Sequence, residues 1–238
     1  MSTSDDSTLD VSRREFIGSA TLTTAGVATG LSVYFLRRSA PDLSDYDKEE
    51  NQVRLGYIGV GNRGLAVMRS SLQVPGNRPV AVCDTRASQT EAAVQDIRAA
   101  KGPGPDKKPY PVEVYADYRR LLDRKDIEGV VIATPHFLHG PMAIDALEAG
   151  KHVYCEKAMA YTIGENQDIY RLVKADPKRV FQVGHQRHYS PLYSTAIDRL
   201  IKQQDSIGDV VGMRAQWNKN DVLRRPCPDP AMEKIINW

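Results

Sequence analysis

The feature that most constrains the fold of this chain is a glycine pattern that follows a short apolar run. Residues 53–58 are mostly apolar, and Gly59, Gly61 and Gly64 come directly after them with the spacing G-x-G-x-x-G. In this arrangement a strand enters a tight turn at Gly59, Gly61 lets the backbone approach a pyrophosphate, and Gly64 lets the next helix pack closely on the sheet. The unpaired amides at the helix start can then bind phosphate. The pattern predicts the first strand, turn and helix of a dinucleotide-binding domain.

The second predicted strand, residues 79–84, ends in a carboxylate. Asp84 lies about 20 residues after Gly64, where an acidic side chain binds the adenosine ribose hydroxyls and repels a 2′-phosphate. The sequence therefore favours NAD as the cofactor over NADP. Arg86 weakens that preference, because a basic side chain there could hold the phosphate of NADP. Asp84 could equally cap the helix predicted over residues 87–100, and the two roles are compatible.

Strands and helices continue to alternate through the middle of the chain. Apolar runs without polar alternation, such as residues 129–133, are typical of strands covered on both faces. The fold class predicted is α/β, a Rossmann-type doubly wound parallel sheet over residues 52–188, followed by the start of an α+β second domain over 189–238. Further strands are predicted over 112–115, 127–133, 152–155, 179–183 and 210–217, and helices over 118–123, 139–149, 162–175 and 192–203.

Four sequence segments together resemble a known family. They are ATP at residues 133–135, His139, AGKHV at residues 149–153 and EKAMA at residues 156–160. This order is similar to the signature of the glucose-fructose oxidoreductase/inositol dehydrogenase family, Gfo/Idh/MocA, and the resemblance covers about residues 53–238. The chain departs from the family at Ala158, where the EKP motif has proline, so the orientation of Lys157 is less constrained than its identity.

The resemblance implies an NAD(P)-dependent oxidoreductase that transfers a hydride between a hydroxyl carbon of a sugar or polyol and nicotinamide. Lys157 would be the catalytic residue that hydrogen-bonds the reacting hydroxyl, and Glu156 would contact the nicotinamide side of the cofactor. The cofactor-binding residues predicted in all are Gly59, Gly61, Asn62, Arg63, Gly64, Asp84, Thr134, Pro135, His136, His139, Glu156, Lys157 and His185, and the substrate residues are Lys157, His185 and Arg187.

Two other functions fit the same residues. One is an NAD-dependent glycoside hydrolase, which oxidises its substrate transiently, eliminates the glycosidic substituent and regenerates its cofactor. The other is a nucleotide-binding module without catalysis, which the departure at Ala158 favours. Members of the family also continue well beyond the length of this chain, so we expect a C-terminally truncated fragment, inactive by itself and homo-oligomeric when full length.

Composition argues against nucleic acid as a partner. With 32 basic and 30 acidic residues the formal net charge is +2, and the three cysteines do not suggest a disulfide framework. The pairs His136/His139 and His185/His188 have a spacing that metal ligands use, but neither pair has a third ligand nearby in the sequence. No metal site is predicted.

The N-terminal residues predict export. SRREFI at residues 12–17 closely resembles the twin-arginine (Tat) consensus, and a weakly apolar segment comes next over 17–36. Residues 1–40 are thus predicted to be a Tat signal, and 41–51 an acidic linker. Because no clear cleavage site precedes the linker, a cleaved signal that delivers the protein to the periplasm and an uncleaved inner-membrane anchor facing the periplasm both fit.

Overall fold

The computed structural model describes the glycine motif and most of the chain between it and residue 199. The predicted Tat signal and residues 41–47 of the linker lie outside the described residues, as does most of the segment predicted as a second domain. The described residues are 48–104, 107–185, 187–188, 190–199, 208–209, 211–216 and 218.

Strands and helices alternate along the described chain. A short 3-10 helix, Glu49–Asn51, precedes the first strand. The strands are β1 (Val53–Ile58), β2 (Asn77–Cys83), β3 (Glu113–Tyr115), β4 (Gly129–Ile132), β5 (His152–Glu156) and β6 (Phe181–Gly184). The helices are α1 (Asn62–Leu72), α2 (Ala87–Lys101), α3 (Tyr118–Leu122), α4 (His136–Glu148), α5 (Ile163–Ala175) and α6 (Pro191–Ala196).

The strands form one parallel sheet in the order β3-β2-β1-β4-β5-β6. Ile58 at the end of β1 lies opposite Cys83 of β2 on one side and Ile132 of β4 on the other. The carboxyl ends of the strands therefore meet at one edge, called the carboxyl edge below. From β1 the chain builds the sheet in one direction, through β2 and β3, and then returns to the opposite side of β1 with β4. The strand order therefore reverses between β1 and β4, and such folds bind ligands at this switch point.

Apolar side chains cover both faces of the sheet. On one face Tyr57 and Val82 pack in a cluster with Met68 of α1 and Ile97 of α2. On the other face a larger cluster joins β1, β4 and β5 to α3, α4 and α5. All four residues of β4 are buried, which explains why its sequence lacks polar alternation. The predicted doubly wound α/β fold is confirmed.

The strand predicted over residues 210–217 is not formed by residues 211–216, which have no strand conformation and are exposed. Alternating apolar and polar residues form a strand only where a neighbouring strand supplies hydrogen bonds. Among the described residues, no strand pairs with residues 211–216. The helix predicted from residue 192 does form as α6, beginning at Pro191, a residue well suited to the first turn. In the described ranges no helix has the length and apolarity that crossing a bilayer requires.

Candidate active site

The glycine turn after β1 has the tight geometry that its motif requires. Gly59 has a φ of +80°, in the left-handed region that favours glycine. A Cβ on Gly59 would lie 2.7 Å from Thr134 Cγ2 and 2.9 Å from the carbonyl of Ala133. A Cβ on Gly64 would lie 1.9 Å from the carbonyl oxygen of Gly59. The first turn of α1 is thus seated directly on the turn that precedes it.

Gly61 leaves open space at the same turn. It is the N-cap of α1, with a φ of −70°, and it provides no side-chain cap for the amides of the first helical turn. A Cβ on Gly61 would have its nearest contact with Arg86 Nη2, at 3.6 Å. Uncapped amides beside open space fit the pyrophosphate of a dinucleotide, which such amides bind.

Asp84 connects this turn to the start of α2. One carboxylate oxygen accepts a hydrogen bond from the amide of Val60 at 3.0 Å, and the other accepts one from the amide of Arg86 at 3.0 Å. Each oxygen can accept a second hydrogen bond, so the carboxylate can still bind two ribose hydroxyls. Asp84 therefore also holds the glycine turn in place, a role that the sequence did not indicate.

A buried carboxylate lies at the end of β5. Glu156 is 3% exposed, and Arg63 Nη2 from the first turn of α1 donates to its Oε1 at 2.6 Å. The Tyr154 hydroxyl lies 3.4 Å from the same oxygen. The hydrogen bond to Glu156 is the main reason that the pKa of Arg63 is raised. A Cβ on Gly184 of β6 would lie 2.9 Å from Glu156 Oε1 and 2.5 Å from the Tyr154 hydroxyl, so a larger residue there would displace these side-chain ends.

Lys157 follows Glu156 and is exposed at the carboxyl edge. Its backbone amide lies 3.3 Å from Glu156 Oε2. The peptide bond between Lys157 and Ala158 is cis. The predicted catalytic lysine therefore stands on the same edge of the sheet as the glycine turn, next to the carboxylate that Arg63 contacts.

His139 connects the turns after β4 and β5. The ring is 1% exposed, with Nδ1 2.7 Å from the carbonyl oxygen of Ala158 and Nε2 2.8 Å from that of Thr134. These contacts hold the backbone on both sides of the predicted nicotinamide position, and a contact between His139 and the cofactor itself stays a prediction. The sequence carried one signal for this role, since His139 is a polar residue on the buried face of α4.

The remaining predicted residues also lie at or beyond the carboxyl ends of strands. Thr134 is half-buried, whereas Pro135 and His136 are exposed at the start of α4. His185 and Arg187 come after β6 and are exposed, and the Arg187 guanidinium donates to the Tyr193 hydroxyl at 2.9 Å. Their proposed contacts with cofactor and substrate stay predictions.

A cavity of about 420 Å³ lies away from all these residues, at the amino ends of the strands. Arg54, Arg78 and Arg124 line it together with Glu113 and Asp126, and Arg124 forms ion pairs with both acids. The motif residues, and not this cavity, therefore define the candidate active site.

Comparison with known families gives a match over the domain just described. The profile of the Gfo/Idh/MocA oxidoreductase family, described as an NAD-binding Rossmann fold, matches residues 53–185. This supports the predicted fold and the prediction of NAD as the cofactor.

Curated relatives include glycosidases. An α-N-acetylgalactosaminidase from Shewanella oneidensis is 35% identical over 169 residues, which is 66% of this chain and 35% of that protein. Glycosyl hydrolase family 109 protein 2 from Shewanella sp. ANA-3 is 41% identical over 119 residues, 50% of this chain and 25% of that protein. The chain thus spans about a third of the length of such relatives or less.

Solved structures with the same fold include dehydrogenases. Myo-inositol dehydrogenase from Lactobacillus casei, in complex with NAD(H) and myo-inositol, is 29% identical with a TM-score of 0.54, covering 65% of this chain and 42% of that one. An NAD-binding protein from Listeria innocua is 28% identical with a TM-score of 0.52, covering 66% and 42%.

Proposed function

Because this chain belongs to the Gfo/Idh/MocA oxidoreductase family, we propose that the intact protein transfers a hydride between a hydroxyl-bearing carbon of a sugar or polyol and the nicotinamide of NAD. The observation that carries the proposal is the position of Lys157, directly after β5 and on the same sheet edge as the glycine turn. The structure of myo-inositol dehydrogenase with NAD(H) and myo-inositol supports a polyol or sugar as the substrate class.

The order of the strands sets the direction in which the cofactor would lie. The pyrophosphate fits at the glycine turn after β1, and the adenosine ribose fits at Asp84 after β2. The nicotinamide half would then extend to the other side of β1, over the ends of β4 and β5. Thr134, Glu156 and Lys157 stand at those two ends and would hold and orient it.

Lys157 has the chemistry that alcohol oxidation needs. Bound NAD supplies the carbon that accepts the hydride, and the protein has to stabilise the negative charge that develops on the substrate oxygen. The Lys157 ammonium can donate a hydrogen bond to that oxygen and favour the alkoxide by its charge. When it has given one of its own protons to solvent, the neutral Lys157 amine can accept the hydroxyl proton and so return to the ammonium form. A positioned acid–base group of this kind contributes about 10²- to 10⁴-fold to a rate.

A second candidate is an NAD-dependent glycosidase, which the similarity to the α-N-acetylgalactosaminidase favours. It would use the same residues for a transient oxidation, so that Lys157 again assists removal of the hydroxyl proton. The two activities differ in their net redox change. A dehydrogenase accumulates NADH in proportion to product, whereas the glycosidase releases a free sugar without net NADH.

The test is turnover by the intact protein with Lys157→Met, using inositols, free sugars and an N-acetylgalactosaminide as substrates. We expect a loss of about 10²- to 10⁴-fold in kcat with either type of substrate. Lys174→Met is the matched control, because Lys174 is an exposed lysine at the end of α5, and it should keep full activity. Unchanged turnover by the Lys157 variant would refute the catalytic assignment of Lys157. Absence of turnover by the wild-type intact protein would instead favour a nucleotide-binding module.

We also propose export by the Tat pathway, to the periplasm or to its side of the inner membrane, and a homo-oligomeric intact protein. The twin arginines, Arg13 and Arg14, support the first proposal. Replacing both with lysine should leave the protein in the cytoplasmic fraction, and periplasmic recovery of that variant would contradict export by the Tat pathway. Light scattering of the intact protein tests the second, and a monomeric mass would contradict it.

A further inference from the structure

The ion pair between Arg63 and Glu156 spans the part of the site where the proposed function places nicotinamide. Arg63 lies in the first turn of α1, beside the phosphate-binding turn, and Glu156 is the last residue of β5, beside Lys157. We propose that Arg63 is a positioning residue that balances the charge of Glu156 and so sets the relative affinity for NAD⁺ and NADH. This inference rests on the proposed function.

The contacts identify Glu156 as a carboxylate that depends on Arg63. Its side chain is 4% exposed, and the Nη2–Oε1 distance of 2.6 Å is short even for a charged hydrogen bond. Its other described contacts are the Tyr154 hydroxyl at 3.4 Å and the Lys157 amide at 3.3 Å, both longer and uncharged. Arg63 is thus the cation that compensates this buried charge.

The charge matters because the two forms of the cofactor differ in the nicotinamide ring. The ring carries one positive charge in NAD⁺ and none in NADH, while the phosphates and the adenosine are the same in both. An uncompensated carboxylate near the ring would favour NAD⁺, and an uncompensated guanidinium would favour NADH. The ratio of the two dissociation constants therefore reports this charge balance, and any contact of Arg63 with the phosphates cancels from it.

The two single variants should shift the ratio of the dissociation constants for NAD⁺ and NADH in opposite directions. Arg63→Gln leaves the Glu156 charge alone and should shift the ratio of dissociation constants about three- to tenfold in favour of NAD⁺. Glu156→Gln leaves the Arg63 charge alone and should shift the ratio in favour of NADH, by a smaller factor because the Arg63 side chain is 49% exposed. The double variant has neither charge and should return to within about twofold of the wild-type ratio.

The experiment is calorimetric titration of the intact protein with NAD⁺ and with NADH at about pH 8.5, well above the ordinary range for carboxyl groups. Arg63→Lys keeps the charge and should keep the ratio. Arg69→Gln is the matched control. Arg69 lies on α1, as Arg63 does, and its exposed ion pair is with Asp96 of α2, so losing that pair should not change the ratio. Thermal melting shows that each variant is folded, and Glu156→Gln, which keeps the size of its side chain, gives an independent result if Arg63→Gln does not fold.

Shifts of opposite sign for the single variants, with recovery in the double variant, would support the inference. Normal binding of both forms with unchanged ratios, or shifts of the same sign, would overturn it and leave the proposed function intact. Binding of neither NAD⁺ nor NADH by the folded, wild-type intact protein would overturn both.

Discussion

Two glycines of the G-x-G-x-x-G motif should respond differently to replacement by alanine: Gly64→Ala should lose stability, and Gly61→Ala should lose affinity for NAD. In Gly64→Ala the new Cβ would lie 1.9 Å from the Gly59 carbonyl oxygen, and Cβ atoms essentially never approach another heavy atom closer than 3.0 Å. The turn and α1 would have to separate by roughly 1 Å, and both partners are backbone. We expect a loss of about 3 kcal/mol in the free energy of unfolding and a Tm about 10 °C lower.

Gly61→Ala should leave the fold unchanged and weaken the binding of NAD. Its φ of −70° suits alanine, and the nearest contact of the new Cβ is an ordinary one of 3.6 Å with Arg86. The methyl group instead fills the space through which a pyrophosphate reaches the amides. Loss of one or two charged hydrogen bonds, each worth about 1.5–3 kcal/mol, weakens NAD binding at least about tenfold.

Chemical denaturation and calorimetric titration with NAD measure both effects on the same samples. Gly164→Ala, in α5, is the control for both, because its nearest neighbour would be 4.0 Å away. It should keep wild-type affinity and lose no stability. Wild-type affinity in Gly61→Ala would refute the assignment of the turn as the pyrophosphate site, and wild-type stability in Gly64→Ala would refute the close packing of α1 on the turn.

Three further predictions concern a half-buried carboxylate, two buried thiols and a buried imidazole. Asp84→Asn should weaken NAD binding about ten- to a hundredfold and NADP binding less, because the charge that it removes is proposed to bind the ribose hydroxyls of NAD and to repel the 2′-phosphate of NADP. Equal losses of affinity for NAD and NADP in calorimetric titration would contradict this. Burial chiefly raises the pKa of the Cys83 and Cys155 thiols from 9.0 to about 12. Unfolded thiols therefore ionise first, and stability, complete below about pH 9, should fall between pH 9 and 12 by up to about 1.4 kcal/mol per pH unit for each thiol. In Cys155→Ala the free energy of unfolding, measured by chemical denaturation, should fall less steeply with pH over this range. A fall as steep as in the wild type would contradict the raised pKa of Cys155. His139→Leu leaves the Thr134 and Ala158 carbonyls without their partner and should cost about 2–4 kcal/mol in urea denaturation, whereas a cost below about 0.5 kcal/mol would contradict its role.

The sequence predicted the sheet well because its signals there are local. The glycine spacing placed the first turn, and buried strands such as β4 appear as continuous apolar runs. The other helix starts lie within one residue of the prediction, but the start of α4 was wrong. Helix α4 begins at His136, whereas the sequence predicted residue 139, because Pro135 as the N-cap lets the helix start with only three residues between it and the end of β4.

The contacts that connect the site could not be predicted, because they join distant parts of the chain. Arg63 and Glu156 are 93 residues apart, and His139 reaches a carbonyl 19 residues away. No spacing rule links such pairs, and they become neighbours only through the order of the strands. The strand predicted over 210–217 was wrong for residues 211–216 for the same reason, since a strand needs a partner that local alternation does not reveal.

We propose that NAD binds across the carboxyl edge, with its pyrophosphate at the glycine turn and its nicotinamide beside Lys157. The most direct test is a crystal structure of the full chain in complex with NAD. We expect the pyrophosphate against the amides of the first turn of α1, the adenosine ribose at Asp84 and the nicotinamide ring next to Glu156 and Lys157. A nucleotide bound elsewhere, or one with its nicotinamide end on the β2 side of the turn, would contradict it.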